Sequence, residues 1–253
     1  MHYLWNEEPV FCFTSDIDWA SESIIEYSNN LLELDKKKIT YFNTHESNYL
    51  NSLKNKKPID LLIHPNFLPK SSHGNSYEEV ITNCLKFAPD SIGFRSHRYF
   101  EVNDIFDIFL QLKFKFFSNM CTNCEINLKP LHHRSGMLSI PIFFEDGGYL
   151  LMDPELLFNS IFKKLDSPGL KVLNIHPAHM AFNTPNFDFT RSIKDSLSRE
   201  QWNNISKNEI KRIENKKFGI RNFVEKIIEY IEKKGHRVIS ITQIFNMWSN
   251  NLK

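Results

Sequence analysis

Asp16 and Asp18 are separated by a single residue in Phe13-Thr14-Ser15-Asp16-Ile17-Asp18-Trp19-Ala20, at the end of a short apolar run and just ahead of an amphipathic stretch. Two carboxylates so placed can hold a divalent cation or move a proton, and the C-terminal end of a strand is where α/β enzymes carry such groups. Alone, the pair would equally suit a helix start, with Ser15 or Asp18 as the cap. Three later apolar runs also end in reactive residues. His64 follows Leu61-Leu62-Ile63, Arg95 and His97 follow Ile92-Gly93-Phe94, and His176 and His179 close Val172-Leu173-Asn174-Ile175-His176-Pro177-Ala178-His179. Acid, imidazole and guanidinium at four strand ends point to one shared site.

The strands that must position these groups are expected at residues 9–14, 39–44, 60–64, 91–94, 115–120, 171–175 and 236–241. Helical spacing falls between them: Ile24, Ser28, Leu31 and Leu32 share a face, as do Val80, Ile81, Cys84 and Leu85. Val102, Ile105, Phe106, Phe109 and Leu110 repeat the spacing, as do Leu157, Phe158, Ile161, Phe162 and Leu165. Strand and helix in alternation imply crossover units and a parallel sheet. The fold expected is α/β, a single irregular (β/α) barrel domain over residues 1–253. Two segments interrupt the alternation. Residues 122–150, with Pro130, Gly136, Pro141 and Gly147-Gly148, predict a hairpin-like excursion over the barrel mouth. Residues 181–217 are polar and predict a long loop leading into a charged surface helix. The amphipathic stretch through Phe223, Val224, Ile227, Ile228 and Ile231 predicts a helix ended by Gly235.

A net charge of +1, from 31 basic and 30 acidic residues, leaves no global field to attract nucleic acid or anionic lipid. No stretch approaches a membrane span and the N-terminus lacks the basic start and apolar core of a secretion signal, so a cytoplasmic protein is expected. Cys12 and Cys84 fit buried thiols. Cys121-x-x-Cys124 reads either as a reduced structural pair or as half of a zinc knuckle completed by His132 and His133.

The order of these motifs resembles the polysaccharide deacetylase family, the NodB-homology domain of carbohydrate esterase family four, and is similar to its WbmS-like branch, from Phe11 to about Asn183. The resemblance implies a seven-stranded (β/α)7 barrel. It also implies a hydrolase removing an N-acetyl group from a nucleotide- or lipid-linked amino sugar in cell-surface glycan synthesis, with a divalent metal, zinc before cobalt or nickel. Carried onto this chain, Asp16 becomes the general base and Asp18 a metal ligand.

The family's second motif normally supplies two histidines one helical turn apart. In His64-Pro65-Asn66-Phe67-Leu68-Pro69 the prolines forbid that turn. Asp18, His64 and His73 are therefore the expected ligands, with His97 in reserve. Arg95 matches the family arginine that contacts the base, without the proline that usually follows it. His176 corresponds to the general acid, oriented by Asp146 or, second, Glu145.

Trp19, Asn66, Phe67, His97, Glu145 and His179 are expected to face substrate. Phe143 and Phe144 suit either an acetyl pocket or the core. Two other readings stay open: hydrolysis of a formamido or cyclic amide bond, and a non-catalytic carbohydrate-binding relative. Oligomeric state is left open.

Overall fold

Val10, Phe11, Cys12 and Phe13 form an unbroken apolar run, the pattern of a strand covered on both faces. In the computed structural model, which describes residues 3–250, this run lies in strand β1 (Pro9–Asp16), buried at all eight positions. β1 pairs in parallel with β2 (Ile39–Asn43) on one side and, further along the chain, with β9 (Gly169–Ile175) on the other. Beyond β2 follow β3 (Asp60–Ile63), β4 (Gly93–Phe94) and β5 (Phe116–Phe117), each parallel to the last. All six were expected from the sequence, although β4 and β5 are shorter than their apolar runs.

The hairpin expected within 122–150 is present as β6 (Leu131–His132) against β7 (Leu138–Ser139). The chain then does more than return. β7 also runs parallel to β5, and β8 (Phe144–Glu145) runs parallel to β9. Between them the Ile140 N–H donates to Phe117 O (2.8 Å), the Ile142 N–H to Met120 O (2.7 Å) and the Phe143 N–H to Val172 O (2.9 Å). One run, 138–145, therefore bonds β5 at one end and β9 at the other, and the sheet curls into an irregular barrel. The strand expected at 236–241 shrinks to β10 (Arg237–Val238), which pairs with the start of β1. Ser240 and Gln243 exchange backbone-to-side-chain hydrogen bonds and open the helix Ile241–Asn250 there.

The expected helical faces pack as Glu22–Leu31, Tyr77–Leu85, Asn103–Gln111, Phe158–Asp166 and Ile220–Lys234, the last ended by Gly235 at φ 66°. The polar segment after residue 181 is not a long loop. It folds as the helices Phe187–Ser196, Arg199–Asn203 and Lys207–Ile213. Two of these open on reciprocal caps, Ser198 with Gln201 and Ser206 with Glu209, so the start signals were in the sequence but lay outside any strong apolar period. No helix among the described residues is long and apolar enough to cross a membrane.

Candidate active site

Every functional strand end faces the same side, because parallel strands all point their C-termini one way. Asp16 is the last residue of β1, and the chain then turns through Asp18 (φ 39°) and Trp19 (φ 55°), two consecutive left-handed residues that are not glycine. Such a backbone is costly for L side chains and here aims the Asp18 carboxylate back over the barrel. Trp19 N–H donates to Thr44 Oγ1 at 2.9 Å, which holds the turn.

Asp18 Oδ1 lies 3.2 Å from His64 Nε2 and 3.1 Å from His97 Nδ1, and these ligand atoms all fall within 4.8 Å of one another. Ligands about 2.0–2.1 Å from a shared zinc-like cation stand about 3 Å apart, so the spacing fits one divalent ion held by two imidazoles and a carboxylate. Burial would push the Asp18 carboxyl up, but hydrogen bonds with His64 and His97 outweigh it and hold the group well below the usual carboxylate range.

His73 is not in this group. Its Nε2 donates to Thr44 O at 2.7 Å and its Nδ1 accepts from the Asn66 N–H at 3.0 Å, so neither ring nitrogen has a lone pair left for a cation. Burial pushes its pKa down, in keeping with a neutral ring. The expectation that His73 completes the triad is corrected, and His97, the reserve residue, stands in its place.

Arg95 is fully buried under the site. Its Nη1 donates to Asp16 Oδ1 (2.9 Å) and Thr14 Oγ1 (3.0 Å), its Nε to Ser118 O (2.9 Å) and its Nη2 to Ser118 Oγ (2.9 Å). Asn174 Nδ2 donates to the other Asp16 oxygen at 2.8 Å. Both oxygens of Asp16 are thereby oriented, with Oδ2 3.9 Å from His64 Nε2.

On the opposite oxygen of Asp18 stands His176, its Nε2 3.7 Å from Asp18 Oδ2. Asp146 grips it twice: Oδ1 at 2.6 Å from the ring Nδ1 and Oδ2 accepting from the backbone N–H at 2.7 Å. Burial would lower the His176 pKa, yet the charge and hydrogen bond of Asp146, helped by Asp18 and Glu145, raise it well above the ordinary imidazole value. Glu145 lies 3.4 Å from the same Nδ1 and is pushed up to about 7, first by burial and then by the neighbouring Asp146 charge. Its carboxylate accepts from the N–H groups of Gly147 and Gly148, and a Cβ on Gly148 would stand 2.7 Å from Glu145 Oε2.

Asp16, Asp18, His64, His97, Glu145 and His176 line one cavity of about 460 Å³ with His179 and Leu151 on its wall. His179 Nδ1 lies 3.1 Å from Thr184 Oγ1. Trp19 and Asn66 line a neighbouring groove instead. Phe67 does not face the site: it packs on Tyr77, Phe100 and Phe109, because the chain after Pro65 turns its side chain into the core. Phe143 and Phe144 are also core. Cys121 and Cys124 are free thiols, and His132 and His133 pack on Trp248 and on Phe106 and Phe117, so the structure shows no knuckle among them. Sequence reasoning missed Asn174 as a partner of Asp16, though an amide inside an apolar run was its signal. It also missed Tyr99, Lys194 and Trp202 on the walls, for which no motif exists.

Among solved structures, a polysaccharide deacetylase described as involved in O-antigen biosynthesis in Bordetella bronchiseptica is 28% identical, with a TM-score of 0.73 over 87% of this chain and 90% of that one. A mutant of a CE4-family pseudoenzyme (11% identity, TM-score 0.51, 94% of this chain and 68% of that one) and a 4-alpha-glucanotransferase of Thermococcus litoralis (8%, 0.52, 94% and 38%) share the fold alone. A search of curated protein sequences finds no match. The family model described as WbmS-like polysaccharide deacetylase matches residues 13–194, well over half of the chain, and the protein belongs to that family.

Proposed function

We propose that the protein is a metal-dependent carbohydrate N-deacetylase that frees an amine on an acetylated amino sugar destined for a cell-surface glycan, acting in the cytoplasm. One observation carries this: Asp16, held by Arg95, lies beside the candidate ligand His64, and His176, held by Asp146, faces Asp18, with Asp16, Asp18, His64 and His176 all lining one cavity. A binding module has no need of a matched base and acid. The O-antigen setting of the Bordetella relative supports the glycan role.

A divalent cation on Asp18, His64 and His97, zinc by its imidazole-rich donor set, would acidify a water and polarise the acetyl carbonyl. Asp16, oriented through both oxygens by Arg95 and Asn174, takes the proton of the attacking water. His176, kept protonated by Asp146, donates from Nε2 to the departing nitrogen. Glu145 and His179 border the space left for the sugar.

The test is acetate release from N-acetylated sugars by purified protein reconstituted with zinc, cobalt or nickel. Release that requires the cation supports the reading. Absence of hydrolysis with all three across free, nucleotide-linked and lipid-linked N-acetyl sugars would sink it, and release of formate alone would move the activity to formamido substrates.

A further inference from the structure

Beside the catalytic cavity runs a second hollow of about 430 Å³, and the two share Lys194 and Trp202 as a common wall. Its floor is aromatic. Trp19, whose ring stands 5.1 Å from that of His97, is tied to Trp202 by the Trp202 Nε1–H donating to Trp19 O at 2.9 Å, so the groove begins at the candidate metal centre. Its rim is cationic. Lys70, Lys194 and Arg199 line it, no aspartate or glutamate does, and among the described residues none of the three is paired with a carboxylate.

Besides Trp19, the groove is built by the loop after β3 and by the helices from residue 187 onward. Lys70 and Ser72 come from the loop 65–74, which His73 fastens through Thr44 O, the Asn66 N–H and Asn83 Nδ2 donating to His73 O at 2.7 Å. Lys194 and Arg199 come from the helices Phe187–Ser196 and Arg199–Asn203. Three cations with no carboxylate partner among the described residues, one of them, Lys194, lying 5.3 Å from the centroid of the Trp202 ring, line one aromatic trough beside a cavity sized for a sugar and match a ligand whose sugar is followed by concentrated negative charge. Lys and Arg donors recognise phosphate oxygens in this way. A neutral acetylated glycan would leave all three without an opposite charge.

We propose that Lys70, Lys194 and Arg199 form a diphosphate subsite, so that the acetylated sugar is presented as a glycosyl diphosphate with its carrier lying along the Trp19–Trp202 groove. The assignment rests on the deacetylase reading for its sugar and on the groove for its phosphates. A nucleoside and a polyprenol carrier share this chemistry.

The test is calorimetric titration of the full-length protein with pyrophosphate, uridine diphosphate and geranyl diphosphate. The comparison is with the Lys70→Gln/Lys194→Gln/Arg199→Gln variant and with Asp18→Ala, which removes a candidate metal ligand. All three cations are exposed, so the triple variant should keep its melting temperature and bound metal. The expected result is binding weakened about tenfold or more in the triple variant and retained in Asp18→Ala. Tightening over pyrophosphate by the uridine or by the geranyl group supports the subsite and names the carrier. Absent binding, equal binding in the triple variant, or binding lost in Asp18→Ala overturns it. Acetate release as efficient from an unphosphorylated N-acetyl sugar as from its glycosyl diphosphate removes the subsite and leaves the deacetylase standing. Diphosphate binding without any acetate release does the reverse.

Discussion

Asp18 serves different neighbours with its two oxygens, and this separates roles that the sequence alone leaves entangled. Oδ1 gathers His64 and His97, while Oδ2 faces His176. Replacing Asp18, His64 or His97 by alanine should therefore strip most of the metal, measured by elemental analysis of the folded protein. His73→Ala should retain it, and metal loss there would return His73 to the ligand set. Asp16→Asn and His176→Ala should keep the metal and lower turnover by about two to four orders of magnitude, the weight of a positioned proton-transfer group. Asn174→Leu removes one of the two donors that orient Asp16, and should cost about tenfold in kcat with metal unchanged. Asp16, Asp18, His64, Arg95 and His176 were legible because each ends or follows an expected strand, and Asp146 only through the family resemblance. His97 was read as a reserve ligand and a substrate contact, because nothing in one-dimensional spacing tells which of two imidazoles lies within reach of Asp18.

At the scale of elements, the close approach of β4 to β5 depends on Gly93, where a Cβ would meet the Phe116 ring at 2.2 Å. Gly93→Ala should destabilise the protein by about 1–3 kcal/mol, read from urea unfolding, through overpacking beneath Arg95. The loop 65–74 behaves as an element fastened by one side chain. His73→Ala frees its Thr44 and Asn66 contacts, so KM should rise more than kcat falls, while metal content holds. Apolar periodicity revealed β1, β2, β3 and β9 because burial on both faces writes a continuous run. The ring strand at 138–145 escaped because Pro141 and the adjacent Gly147-Gly148 read as turn signals. That proline has no N–H to lose, and the barrel places it between residues whose N–H groups do bond.

At the scale of the whole molecule, Lys171 is a buried charge away from the site. It is buried in β9 with Nζ 4.7 Å from the Phe143 ring centroid and 3.1 Å from Ser167 Oγ, and burial lowers its pKa from the usual 10.5 to about 8. A folded state that binds this proton less tightly than the unfolded chain gains stability as pH rises from about 8 towards 10.5, and below that window the full cost of the buried charge remains. Lys171→Met should raise stability at pH 7 by about 1–3 kcal/mol and flatten the rise above pH 8, as followed by thermal melts. An unchanged slope would place the titration elsewhere.

β1 joins residues far apart along the chain: Pro9 meets Gly169 and Val10 meets Arg237. Asp16 acquires its Asn174 partner only when a strand made some 158 positions later has docked. The Asp16 carboxylate is thus held at both oxygens only after β9 has closed onto β1, a slow step for contacts so distant in sequence. A chain emerging from the ribosome lacks the Asn174 partner of Asp16, and His176 beside Asp18, until residues 174–176 have been made. Recovery of activity after dilution from denaturant therefore reports completed assembly of the barrel, not collapse of its N-terminal half.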